Sequence, residues 1–218
     1  MYEQERHDMV DRLISHGFLK DEKVADAMRK VPRHLFVPDD VVDFAYDDRP
    51  LPVGEKQTIS APHMVAMMCD ALDLNSDNKV LEVGAGSGYH ACVVAQLVDV
   101  VYTIERIERL AKKAEVNLEK ADCKNVKLVL GDGSQGYPEE APYDRICVTA
   151  GAPDVPEHLL EQLKTNGKLL IPMGGRYYQD LILVEKSEGE ETSRKNLGAC
   201  AFVPLIGEYG FSEKDAEK

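Results

Sequence analysis

The stretch Val80-Leu81-Glu82-Val83-Gly84-Ala85-Gly86-Ser87-Gly88-Tyr89-His90 decides the fold. Residues 79–83 form a short apolar run of the kind a buried strand shows, and residues 87–98 carry a helical pattern. Glycines at such a strand-to-helix turn let the backbone approach a ligand closely, and the helix N-terminus offers free N–H groups. Strand, glycine loop and helix together are the opening unit of a nucleotide-type α/β sheet.

Outward from the loop the same alternation continues. Strands are predicted at 100–104, 126–130, 144–149, 168–172, 180–185 and 199–205, and helices at 106–121 and 156–163. Asn166-Gly167 reads as the turn into the strand at 168–172, and KSEGEETSRKN (186–196) as an exposed connection. Strands separated by helices imply βαβ units and a mostly parallel sheet; the last pair lacks a crossover helix and implies an antiparallel edge hairpin. Upstream, residues 2–36 read as two helices, with Gly17 stopping the first, Asp21 capping the second and Pro32 ending it. Residues 37–60 are rich in proline and acid and read as a long loop. A further helix is predicted to start just after Ser60, with Ser60 near its N-cap and Pro62 in its first turn. Its Met-rich face (Met64, Met67, Met68) reads as core packing.

The chemistry lies at the strand ends. The loop spacing is GxGxG, not the GxGxxG of dinucleotide binders, which argues against a nicotinamide-dependent oxidoreductase. Glu82, two positions before Gly84, could pair with a cationic amino group. Glu105 lies about 20 residues further on, where a carboxylate can accept from ribose hydroxyls. Asp132-Gly133 ends the third strand, and Asp132 could accept from an adenine amino group. Three acids at successive strand ends, with Gly84, Gly86 and Gly88 between, fit S-adenosylmethionine, which has a cationic amino group and no pyrophosphate. The expected fold is therefore a Rossmann-like class I methyltransferase. It has a mostly parallel seven-stranded sheet with helices on both faces, an antiparallel C-terminal edge hairpin and an N-terminal helical extension. One domain is expected over 1–218: helices and covering loop in 1–60, core in 61–211, and a frayed tail in 212–218.

Bulk composition narrows the partners. The chain has 218 residues, 44% hydrophobic and 30% charged, which fits an ordinary water-soluble domain. A net charge of −13 repels phosphate backbones and anionic lipid, so neither nucleic acid nor membrane is expected as a partner. The five cysteines form no CxxC pair, so neither a metal site nor a disulfide framework is expected. The charged N-terminus shows no signal peptide, and the setting expected is a reducing cytoplasm, the chain a monomer.

Further motifs lie outside the cofactor loop. They are VPRHLFVP (31–38), the Ala45-Tyr46 neighbourhood with Pro50-Leu51-Pro52, and GEKQTISAPHMVAMM (54–68). With EVGAGSGY, GDGSQGY, EEAPYD and GKLLIPMG, they closely resemble the protein-L-isoaspartate O-methyltransferases over residues 5–211. The ending FVPLIGEYGF resembles the archaeal and bacterial branch. The resemblance implies a repair enzyme that methylates the misplaced α-carboxyl of isoaspartyl residues in damaged proteins. The ester then recyclises, and part of the product returns to aspartate. It also implies an active-site role for the serine of the TIS motif, Ser60, with Gln57, Thr58, Ile59 and His63 at the junction of cofactor and substrate. Glu82, Glu105, Asp132 and Gly133 fall at the cofactor. Some relatives carry aspartate where this chain has Glu82, which leaves open whether that acid reaches the amino group directly.

The chemistry needs no general base. An isoaspartyl carboxylate, reference pKa about 3.9, is ionised at neutral pH. The site must align it with the methyl donor at about 3 Å and exclude water. Ser60 could orient it by donating a hydrogen bond. Rejecting normal aspartate requires polar partners on the peptide backbone, expected from Val203 to Ile206 and from the 54–60 loop. His63, Arg33 and His34 read as structural, and Tyr46 as either a peptide contact or a loop anchor. The alternatives are a methyltransferase for a small carboxylate or for RNA, which the charge disfavours, and a cofactor-binding module without catalysis.

Overall fold

A computed structural model describes residues 2–213. The chain begins with α1 (Glu3–Ser15) and α2 (Glu22–Lys30). Met9, Val10 and Leu13 of α1 and Val24, Ala25 and Met28 of α2 are buried at helical spacing. Asp21 caps α2, its side chain accepting from the Lys23 amide at 2.8 Å. Two 3-10 turns, Arg33–Phe36 and Asp39–Phe44, lead to a small antiparallel hairpin, β1 (Leu51–Gly54) and β2 (Gln57–Ile59). This hairpin corrects the reading of 37–60 as an unstructured loop. Glu55 and Lys56 form its turn at φ +50 and +58, as a two-residue hairpin of right-handed twist demands.

The main sheet follows. Its elements are α3 (Pro62–Leu72), β3 (Lys79–Val83), α4 (Tyr89–Ala95), β4 (Val100–Glu105), α5 (Glu108–Lys120) and β5 (Val126–Leu130). Then come β6 (Tyr143–Val148), α6 (Glu157–Glu161), β7 (Leu163–Gly174), β8 (Gln179–Lys186) and β9 (Thr192–Cys200). The order is β5-β4-β3-β6-β7-β8-β9, with β5 to β7 parallel and β8 and β9 antiparallel to their neighbours. Seven strands, five of them parallel, with an antiparallel end match the expected class. Successive strand residues face opposite sides of the sheet. Val80 joins an apolar cluster with Met9, Met28, Val65 and Val93, and Leu81 joins another with Ile104, Ile146 and Leu159. Helices therefore cover both faces.

Boundaries differ in instructive places. The N-cap of α3 is Ala61, next to Ser60, and it brings no capping side chain; the Asp48 carboxylate accepts from the first-turn amide of His63 instead. The seventh strand is Thr192–Cys200, so the polar stretch read as a connection pairs with β8 and the apolar 201–205 segment leaves the sheet. Asn166, at φ +62, sits inside β7 as an irregularity, not as the turn that starts it. Cys92 and Cys123, 31 residues apart, are joined as a disulfide, which corrects the expectation of none. Cys69 and Cys147 are buried free thiols. Among the described residues no helix is long and apolar enough to cross a membrane. Residues 214–218 of the expected tail lie outside the described residues.

Candidate active site

The chain reverses its lateral path across the sheet at β3. Strands β4 and β5 lie to one side of it and β6 and β7 to the other. Open α/β sheets bind ligands at such a switch point, beyond the strands' C-terminal ends. A cavity of about 430 Å³ lies there. Its floor is Gly84 to Ser87 after β3, Glu105 to Ile107 after β4, Gly133 after β5, and Thr149-Ala150 after β6. Its walls are the hairpin segment from Glu55 to Ser60, the segment from Val203 to Ile206, and Arg176 from the β7–β8 connection.

The glycine loop is shaped by contact. Gly84 has φ +100, and a Cβ there would come within 2.5 Å of the Thr149 hydroxyl. That hydroxyl donates to the Gly84 carbonyl at 2.6 Å, locking the loop to the end of β6. A Cβ on Gly133 would meet Val83 Cγ1 at 2.6 Å. Both glycines line the cavity, and at each a Cβ is excluded by a neighbouring side chain at a strand end.

Glu105 is 6% exposed and lines the cavity. Its Oε2 accepts from the Gly86 amide and its Oε1 from the Ile107 amide, each at 2.9 Å. Each oxygen keeps a lone pair for a ligand hydroxyl. Burial raises the Glu105 pKa, opposed by the amides of Ile107 and Gly86.

The sequence-predicted residues divide between the cavity and its surroundings. Gln57, Thr58, Ile59, Ser60, Gly84, Gly86, Glu105, Gly133, Val203 and Ile206 all line it. Glu82, Gly88, His63 and Asp132 do not. Glu82 is 1% exposed and turned beneath the loop, accepting from the Thr103 hydroxyl and meeting His90 Nδ1 at 2.6 Å. Burial opposes the charged form of His90, but the Cys147 and Cys69 sulfurs outweigh it and raise its pKa well above the ordinary range. Glu82, on its other nitrogen, favours the same direction physically. Gly88, at φ +89, supplies the N-cap of α4. His63 bonds Asp48 through its amide and ring, at 2.9 and 2.8 Å. Asp132 accepts from the Ser134 amide and hydroxyl and from the Glu208 amide, beside a second cavity of about 270 Å³. Burial would raise its pKa, but these donors hold it below the ordinary value. Tyr46 is a loop anchor, its hydroxyl 2.8 Å from His34 Nδ1.

Several lining residues were missed. Thr149 ends β6 at the sheet edge and is found by the strand-end rule that found Glu105. Arg176 sits in an irregular connection with no local signal. Tyr89 and His90 follow the last loop glycine and were read only as helix. No group of three or more His, Cys, Asp or Glu among the described residues is placed to hold a metal ion.

The Ser60 side chain is the one catalytic candidate. Its residue lines the cavity, and its backbone carbonyl accepts from Arg33 Nη2 at 2.8 Å. With Ala61 as the N-cap, capping does not engage the Ser60 hydroxyl.

Comparison with known proteins converges on one family. The family model described as protein-L-isoaspartate(D-aspartate) O-methyltransferase matches residues 4–210. A protein-L-isoaspartate O-methyltransferase of Methanopyrus kandleri is 58% identical over 99% of this chain and 97% of its own length. One of Hyperthermus butylicus is 51% identical over 99% and 94%. A solved protein-L-isoaspartate O-methyltransferase superposes with a TM-score of 0.85 at 29% identity, over 94% of this chain and 67% of its own. A beta-aspartate methyltransferase from Plasmodium falciparum, in complex with S-adenosyl-L-homocysteine, does so with a TM-score of 0.80 at 26% identity, over 92% and 98%. Loop, Ser60 hairpin and full-length similarity agree: the chain belongs to the protein-L-isoaspartate O-methyltransferase family.

Proposed function

We propose that this chain transfers a methyl group from S-adenosylmethionine to the α-carboxyl of L-isoaspartyl residues in damaged proteins. One observation carries the reading: the Ser60 hairpin and the glycine loop face each other across a single cavity at the sheet's switch point.

The residues present fit the cofactor. Gly84 and Gly133 leave backbone at the wall where a Cβ would clash, and the buried Glu105 carboxylate keeps acceptor capacity for ribose hydroxyls. Glu82 supports the loop from beneath and would act on the amino group only through the field of its charge. Gly133 would border the adenine ring, with Asp132 holding the adjoining segment to Glu208. When bound, the cofactor supplies an activated methyl group on a sulfonium.

Ser60 would donate its hydroxyl hydrogen to the substrate carboxylate and orient one oxygen toward the donor methyl. No proton moves in that step, because the nucleophile enters ionised. Val203, Leu205 and Ile206 form the opposite wall, where backbone groups can test the register of the peptide. Leu205 N already donates to the Gly151 carbonyl at 2.7 Å, so this wall is tied to the end of β6. Isoaspartyl proteins are thus the proposed partners, and a monomer suffices because one chain supplies every wall.

The test compares wild type with Ser60→Ala, using an isoaspartyl peptide and following methyl ester formation. The expected result is turnover by wild type, and a loss of roughly tenfold to a hundredfold in kcat/KM on removing one oriented donor. Affinity for S-adenosylhomocysteine should be unchanged. Full turnover by the variant would remove Ser60 from the mechanism.

A further inference from the structure

Arg33 is completely buried, in a chain where Lys and Arg are outnumbered by Asp and Glu, 26 to 39. No carboxylate is among its hydrogen-bond partners. Nε donates to the Ala45 carbonyl at 2.9 Å, and Nη2 to the Ser60 carbonyl at 2.8 Å. Nη1 has no partner. The guanidinium lies over the Tyr89 ring, 4.8 Å from its centroid. Tyr89 lines the same cavity as Ser60 and is 1% exposed; its buried hydroxyl has no close hydrogen-bond partner and also acts on the Arg33 charge.

Two buried polar atoms without a close hydrogen-bond partner, one on each side chain of the Arg33–Tyr89 pair, need a physical reason. Asp48, bonded to His63, favours the Arg33 charge only from beyond hydrogen-bond reach. A buried cation bonded to no carboxylate is expensive, and an apolar side chain of similar volume could fill the same space more cheaply. Carbonyls and an aromatic face offset only part of that cost. Burial accordingly lowers the Arg33 pKa, although arginine stays charged at neutral pH. The position makes the charge useful. It sits directly behind the backbone of Ser60, the residue that faces the cavity. An anion placed at the Ser60 hydroxyl would add its attraction to that of Asp48, and attraction in a dry site is strong.

We propose that Arg33 is a positioning residue for the acceptor carboxylate. It fixes Ser60 through the serine's carbonyl, and its buried charge, bonded to no carboxylate and lying over Tyr89, makes the Ser60 pocket selective for an anion. Local attraction of this kind offsets the −13 net charge, which otherwise repels a carboxylate from the cavity. The inference rests on the proposed function and adds to it a source of carboxylate affinity outside the cavity wall.

Arg33→Lys, Arg33→Met and Tyr89→Phe separate charge, fork geometry and hydroxyl. For each, thermal midpoint, S-adenosylhomocysteine affinity, KM for an isoaspartyl peptide and kcat are measured. Arg33→Met, keeping bulk without charge, should raise peptide KM about tenfold or more while holding cofactor Kd within about threefold. Arg33→Lys should recover most of the KM, because charge is retained, and less of the kcat, because the fork to Ser60 is lost. Tyr89→Phe keeps the packing and so tests the idea even if Arg33 variants fail to fold; it should lower kcat/KM severalfold. A merely structural Arg33 would lower midpoint and cofactor affinity together and leave peptide KM untouched in the folded protein. That pattern, or an unaltered kcat/KM in Tyr89→Phe, overturns the proposal while wild-type activity keeps the functional reading intact. A wild type inactive on isoaspartyl peptide overturns both.

Discussion

Glu105 shows how much one residue can be asked to do. Its two oxygens hold the Gly86 and Ile107 amides, so the same carboxylate shapes the glycine loop and lines the cavity. Its raised pKa gives a pH signature. In the proposed role the ionised form would accept ribose hydroxyls, so affinity for S-adenosylhomocysteine should fall as pH drops through a value above the ordinary glutamate pKa of about 4.3. Glu105→Gln should weaken binding and flatten that profile, as calorimetry across pH would show; a wild-type profile already flat through the acidic range contradicts the assignment. Gly84→Ala is a second residue-scale test. The clash with Thr149 and the positive φ should cost about 1–3 kcal/mol in stability and reduce cofactor affinity together. Legibility at this scale followed solvent-independent rules. Glu105 and Gly84 were readable because a strand end and a glycine spacing fix where they fall. Glu82 was readable as an acid near the loop, but its inward turn depends on His90 and Thr103, one on the following helix α4 and the other on the neighbouring strand β4.

Elements were readable where the sequence carries a short apolar run between turn signals. Strand β5 has the predicted bounds, and β3, β6 and β8 agree to within a residue at each end. The failures have physical causes. Strand β9 is exposed along most of its length, so no apolar alternation marks it and only its ladder with β8 defines it. Hairpin β1–β2 begins among prolines and turns on Glu55-Lys56, with neither Gly nor Asn to announce the positive φ values. Between elements, Asp144 acts as a clamp. It accepts from the Lys79 amide at the start of β3 at 2.8 Å and from Lys164 Nζ of β7 at 2.8 Å. Burial would raise its pKa, but Lys164 and the Lys79 amide lower it. A depressed folded pKa means that its contribution is present above the unfolded value of about 3.9 and is lost as pH falls through the folded one. Asp144→Asn should lower unfolding free energy by about 1–3 kcal/mol at neutral pH, with a smaller loss in strong acid, measured by urea unfolding. Equal destabilisation at every pH would show that its charge is irrelevant.

The whole molecule combines a net charge of −13 with a site proposed to receive an anion. The N-terminal third, from α1 to the β1–β2 hairpin, supplies Arg33 and Ser60; the sheet supplies the glycine loop and Glu105. Neither part forms the cavity alone, and the sequence divides in the same way: spacing in the sheet spoke for a cofactor, while the substrate was readable only through resemblance of the 31–68 segment to a family. Discrimination between isoaspartyl and aspartyl peptides is the property that joins the two parts. It is measured most directly with two peptides of identical composition, one carrying isoaspartate and the other aspartate, incubated with enzyme and labelled S-adenosylmethionine. Label should appear as a base-labile ester on the isoaspartyl peptide, with the aspartyl twin at least about a hundredfold lower in kcat/KM. Equal labelling of both peptides, or none on the isoaspartyl one, contradicts the account.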